Sequence, residues 1–145
     1  MAYISTSYQS NAEAPVGKYT CAPTSSSAPS DEVPMGSKTK GKDLCGQCVS
    51  YVKKVCRTLP TTSLWKRGLP VRDNKSIVPG TVIATFNASG KYEGHAAIYV
   101  SQDVMGILVY DQYITPPSPS PVGRRTLVWG AHGRANNGDN FYVVE

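Results

Sequence analysis

The stretch Asp43-Leu44-Cys45-Gly46-Gln47-Cys48-Val49-Ser50-Tyr51-Val52-Lys53-Lys54-Val55-Cys56 decides how the rest of the chain is read. Apolar side chains at 48, 49, 52, 55 and 56 share one face of a helix. The spacing predicts a helix over about residues 47–58, ending before Pro60. Cys48 stands at its start, beside unpaired backbone N–H groups and the positive end of the helix dipole. Both favour thiolate, and cysteines so placed reach pKa values of about 3.5–7.5. Cys56 falls near the opposite end, where the dipole disfavours a thiolate, and Cys21 lies in a polar loop. Cys45 precedes the helix in a turn that Gly46 allows to be tight. Cys48 is thus the preferred nucleophile, with Cys45 its nearest rival.

The rest of the chain turns to β. Pro79-Gly80 signals a turn, and Thr81–Phe86 reads as a strand. Asn87-Ala88-Ser89-Gly90 reverses the chain into a second strand, His95–Ser101, and a third follows at Gly106–Tyr113. Trp65-Lys66-Arg67-Gly68 reads as a short helix or turn. The run Pro116-Pro117-Ser118-Pro119-Ser120-Pro121 excludes helix and central strand, so an extended loop is expected there. Thr126–Trp129 and Asn140–Val144 supply the last strands. One helix followed by an antiparallel meander defines an α+β fold. At 145 residues a single domain is expected over 1–145. Within it, residues 1–40 read as a loosely ordered arm and loop, with Tyr3, Ile4, Tyr8, Val16 and Tyr19 available to touch the body.

A histidine poised on a strand gives the thiol a base. His95 follows Gly94 and leads the apolar run Ala96–Val100, whereas His132 sits in the loop Gly130-Ala131-His132-Gly133. The base needs a partner to fix its tautomer. Asp111 and Gln112 end the neighbouring strand and face opposite ways. Asp111 is preferred because a carboxylate both orients an imidazole and stabilises its cation, while Gln112 can only orient. Gln47, beside the thiol, is a candidate to join the Cys48 backbone N–H in holding an oxyanion.

Bulk properties narrow the classes. No apolar run approaches the roughly 18 residues of a membrane span, and Met1–Ser7 lacks the features of a secretory leader. The net charge of +5 is dispersed, densest at Lys38–Lys42, without the basic and aromatic surface of a nucleic-acid binder. Cys48 and Cys56 would lie about 12 Å apart on a continuous helix, beyond disulfide reach. Cys21 can pair with Cys45 or with Cys56. Three rival readings remain: a C-x-x-C redox module at Cys45–Cys48, a zinc module using Cys45, Cys48, Cys56 and His95, and a catalytically dead wall-binding domain. The first lacks an apolar strand leading into the motif, the second lacks a completing ligand pair, and the third has no use for Cys48 with His95.

Gly46–Val52, Pro79–Phe86 and Gly94–Tyr99 together resemble the CHAP/NlpC superfamily of papain-like peptidoglycan amidases. With Val109-Tyr110-Asp111-Gln112-Tyr113 and the ending Asn136–Val144, the chain from about residue 41 is similar to the second family of type VI secretion amidase effectors. Those are bacterial toxins injected into a rival's periplasm, with a relative domesticated by ticks. The resemblance implies a papain-like, NlpC-type fold with the catalytic helix packed on an antiparallel sheet. It also implies Cys48 as nucleophile, His95 as base, Asp111 as third member, and no metal or organic cofactor. The implied substrate is the peptidoglycan stem peptide, cut at the D-alanine to meso-diaminopimelate cross-link. Implied partners are the type VI secretion apparatus and a cognate immunity protein in the producing cell. Export without a signal, action in the target's periplasm and a monomeric state complete the expectation.

Overall fold

A computed structural model describes residues 1–115 and 118–145. Among the described residues one α-helix, α1 (Cys48–Val55), precedes six strands: β1 (Arg67–Pro70), β2 (Val82–Phe86), β3 (Tyr92–Gln102), β4 (Gly106–Tyr113), β5 (Ser120–Val128) and β6 (Phe141–Val144). The strands form one sheet in the order β1-β6-β2-β3-β4-β5, and every pair is antiparallel. The expected α+β architecture is therefore present. Only β2 to β5 make the expected meander, because β6 returns to lie between β1 and β2.

The helix packs Tyr51, Val52 and Val55 against Val82, Ala84, Ala96, Ile98 and Tyr110 on one face of the sheet. Small Ala84 and Ala96, both fully buried, let the helix approach the strands closely. The other face buries Ile83, Ala97, Tyr99, Ile107, Val109, Leu127 and Phe141. Strand alternation sorts neighbouring residues such as Ala96 and Ala97 into the two layers.

Several boundaries differ from the sequence reading. The helix stops at Val55, short of residue 58, and Cys56 is already non-helical. Its last carbonyls are taken by the N-terminal arm: Ser5 Oγ donates to Val55 O at 2.7 Å and Asn11 Nδ2 to Lys54 O at 3.4 Å. Such tertiary capping leaves no local signal. The short turn falls at Thr62–Leu64, and Arg67–Pro70 is an edge strand rather than helix or turn. Of the expected extended loop, Pro116 and Pro117 lie outside the described residues, while Ser120 and Pro121 already belong to β5. β5 is an edge strand, where a missing N–H costs no ladder bond.

The arm expected to be loosely ordered makes specific contacts. Ile4 bridges to Thr81, Tyr8 packs edge-on against Tyr110, and Gly17 and Lys18 exchange backbone bonds with Val122. These last bonds cover the outer edge of β5, which would otherwise present unpaired backbone.

Candidate active site

The incoming turn fixes where Cys48 begins the helix. Cys45 is bridged to Cys21, so of the two pairings open to Cys21 the structure has the one with Cys45. Gly46 adopts φ +78°, and its N–H donates to Thr20 O at 2.9 Å. Gln112 Nε2 donates to Gln47 O, also at 2.9 Å. Gln47 is the N-cap, its side chain making no cap bond, and Cys48 is the first helical residue. With Cys45 bonded, Cys45–Cys48 is not a free dithiol, and Cys56 lies buried at the far end of α1. The redox and zinc readings both lose ligands they required.

His95 follows an irregularity in β3 and lines the cleft with Cys48. The β2–β3 register runs Ala84↔Ala96 but then Phe86↔Tyr92, so extra residues bulge out around Glu93 and Gly94. Gly94 has φ +112°, and a Cβ there would meet Thr85 Oγ1 at 2.4 Å. The Thr85 hydroxyl accepts from His95 N at 3.0 Å and donates to Glu93 O, clamping the bulge. The imidazole is buried between the edges of Tyr113 and Phe141.

Behind His95 lies a charged relay. Asp111, 3 % exposed, receives His95 Nε2 at 2.7 Å and Arg125 Nε at 2.8 Å on the same oxygen, Oδ2. With Nε2 engaged there, Nδ1 is the ring nitrogen left for the thiol. Arg125 also donates to Asn136 Oδ1 and Ala135 O, and its guanidinium lies 5.0 Å from the centre of the Tyr113 ring. On the other side, Cys48 Sγ is 3.4 Å from Tyr92 OH.

These surroundings move both proton equilibria. Burial opposes ionisation of Cys48, yet its hydrogen bond to His95, the imidazolium charge, and bonds from Tyr92 and the Ala96 backbone hold its pKa below the ordinary thiol value. For His95 burial again works against charge, but the hydrogen bonds to Asp111 and then Cys48, with their charges, raise it to about 9. A thiolate–imidazolium pair is what this arrangement favours.

The remaining expected residues divide. Gln47 lines the cleft beside Cys48, but its Nε2 donates to Thr39 O at 3.2 Å. Gln112 is fully buried on the opposite face from Asp111, exchanging bonds with the Thr20 backbone at 2.8 and 2.9 Å. It braces the turn before Cys48 and does not reach His95. His132 is exposed in its loop. Two residues the sequence reading did not select, Arg125 and Tyr92, are at the centre. Arg125 sits on an edge strand, and only the register Val109↔Arg125, Asp111↔Gly123 brings it diagonally to the carboxylate.

Cys48, His95, Tyr113, Arg125 and Asn136 line a cleft of about 320 Å³. A second hollow meets it at Cys48 and is walled by Val49, Lys53, Thr61 and Tyr92. Cys48 thus lines both hollows. A roomier hollow of about 480 Å³ under the N-terminal loop contains neither Cys48 nor His95.

A helix opening on a cysteine, packed on an antiparallel sheet that carries a histidine and its carboxylate, defines the papain-like class of α+β folds. Within it, the chain belongs to the domesticated amidase effector 2 family, whose model matches residues 18–144. A tick relative from Ixodes scapularis, domesticated amidase effector 2, is 46% identical over 104 residues, covering 68% of this chain and 70% of its own. A type VI secretion amidase effector 2 protein of Salmonella typhi is 32% identical over 114 residues, covering 68% and 84%. The solved structure of a type 6 secretion amidase effector 2 superposes with a TM-score of 0.60 at 32% identity, covering 68% of this chain and 80% of that one. The family match reaches back beyond residue 41, into the segment that holds Cys21.

Proposed function

We propose that the protein is a cysteine amidase that hydrolyses peptidoglycan stem peptides at the D-alanine to meso-diaminopimelate cross-link, acting as an antibacterial effector. The observation that carries this reading is Cys48 at a helix start, lining the same cleft as His95, whose imidazole is bonded to the buried Asp111. Cys48 thiolate attacks the D-alanine carbonyl carbon, and the C–N bond breaks as His95 passes its proton to the leaving amine. Water then attacks the thioester and gives one proton to His95; the C–S bond breaks, releasing the carboxylic acid, which ionises in solvent, and restoring the thiolate–imidazolium pair. Asp111 holds the imidazole in the productive tautomer and stabilises its charged form. The Cys48 backbone N–H, belonging to the first residue of the helix, would receive the oxyanion.

The names of the relatives support a secreted amidase effector, and the remaining assignments follow from that. The chain would leave the producer through a type VI apparatus, act in the target's periplasm as a monomer, and require an immunity protein at home. Digestion of purified Gram-negative peptidoglycan, with muropeptides separated and weighed, tests the core claim. Cross-linked dimers should disappear and tetrapeptide monomers accumulate, and Cys48→Ala should leave dimers intact. Activity persisting in Cys48→Ala would sink the assignment, and shorter fragments from intact dimers would move the scissile bond.

A further inference from the structure

The side chain expected to serve the oxyanion is committed elsewhere, since Gln47 Nε2 donates to Thr39 O. A different donor is already at the sulfur. Tyr92 and His95 are three positions apart, so in an uninterrupted strand they would face opposite sides of the sheet. They do so here: Tyr92 packs in the helix-side cluster and His95 against Phe141 of the other layer, with the bulge at Glu93–Gly94 between them, and Tyr92 brings its hydroxyl to the Cys48 sulfur from its own side. Tyr92 is held from behind by Trp65, whose ring lies edge-on at 4.9 Å between centroids. Trp65 is itself buried and anchored by Nε1 to Pro60 O at 2.8 Å. The phenol is therefore a fixed group, not a surface rotor.

We propose that the Tyr92 hydroxyl is a catalytic hydrogen-bond donor, holding the Cys48 sulfur in the resting enzyme and the carbonyl oxyanion during acyl transfer. The proposal rests on the cysteine-hydrolase reading above. The hydroxyl lies 3.4 Å from Sγ and borders the hollow that meets the cleft at the thiol. As the S–C bond forms, negative charge leaves the sulfur for an oxygen one bond away from the attacked carbon. A donor poised at the sulfur reaches that oxygen with a small movement, alongside the Cys48 backbone N–H. Burial, then the Cys48 charge and hydrogen bond, raise the Tyr92 pKa, so the phenol keeps its proton and remains a donor. The charged and titratable groups facing this pair are His95, with Asp111 and Arg125 behind it, Lys53 across the hollow and the Glu93–Arg134 pair on the bulge.

Tyr92→Phe keeps the ring against Trp65 and removes only the hydroxyl. Alkylation of Cys48 by iodoacetamide, followed by mass against pH, reads the contact without substrate. Its midpoint should rise by about half a unit to one unit, because a lost donor disfavours thiolate. Muropeptide release by the same preparations should show kcat reduced about 10²-fold with KM within about threefold. An unmoved alkylation midpoint, or kcat within threefold of the parent, overturns the role of Tyr92. If the parent itself cleaves no stem peptide, the hydrolase reading fails instead, and the alkylation midpoint still decides whether the phenol serves the sulfur.

Discussion

Asp111 holds two cations on a single oxygen, and this sets the pH behaviour expected of the site. The resting charges alternate along the line from Cys48 thiolate through His95 imidazolium and Asp111 carboxylate to the Arg125 guanidinium. Acylation needs the thiolate and the protonated imidazole together, so activity should follow a bell. On the acid side it falls as the thiolate, whose pKa is depressed, takes up a proton. On the basic side it falls as pH rises through about 9, where His95 loses the proton destined for the leaving amine. Asp111→Asn removes the main group that raises His95, so the basic limb should move to lower pH and kcat/KM drop by about 10²–10⁴. A pH–rate profile with its basic limb unmoved in Asp111→Asn would refute that coupling. Cys48, His95 and Asp111 were readable because each stands at a locally legible position, a helix start, a strand after glycine, or a strand end. Arg125 and Tyr92 were not, since one depends on cross-strand register and the other on how the helix start packs against β3.

At the scale of elements, β2, β3 and β4 were legible because their apolar runs are buried on both faces, whereas β1 and most of β5 are exposed edges with no such signature. The helix start was marked by sequence and its end was not, because Ser5 and Asn11 supply the caps from the other end of the chain. The β3 bulge is the element that makes a sheet into a site. It combines a glycine at positive φ, the Thr85 hydroxyl under it, and the Arg134–Glu93 pair on its outer side. Gly94→Val should be costly for two reasons, a backbone conformation that L side chains avoid and a Cβ driven into Thr85 Oγ1. We expect a loss of about 2–4 kcal/mol of stability in urea unfolding, and cleavage reduced more than tenfold in the fraction that remains folded. Full activity in a folded Gly94→Val protein would show that the bulge is not what aims His95.

Across the whole molecule, the N-terminal segment closes the structure around the site. It pairs with β5 through Gly17 and Lys18, bonds Gln112 through Thr20, and is bridged through Cys21 to the turn that delivers Cys48. The Cys21–Cys45 bridge spans a sequence separation of 24, and closing a loop of that size stabilises a folded protein by about 3 kcal/mol through the unfolded chain. The Cys21→Ala/Cys45→Ala protein, and the parent under reductant, should therefore lose about 3 kcal/mol in urea unfolding followed by circular dichroism. Catalysis responds differently, because Gly46 N to Thr20 O and Gln112 Nε2 to Gln47 O still hold the turn without the bridge. In the absence of urea, kcat/KM of the double variant should stay within about threefold of the parent, since removing a cross-link from the unfolded chain does not move the folded thiol. A stability change below about 1 kcal/mol would mean that the arm is held by its hydrogen bonds alone. An equal fall in kcat/KM without urea would instead make the bridge part of the machinery that places Cys48. Bridges of this kind form in oxidising compartments, so the same measurement made with and without reductant tells how much stability the fold gains where the bridge can form.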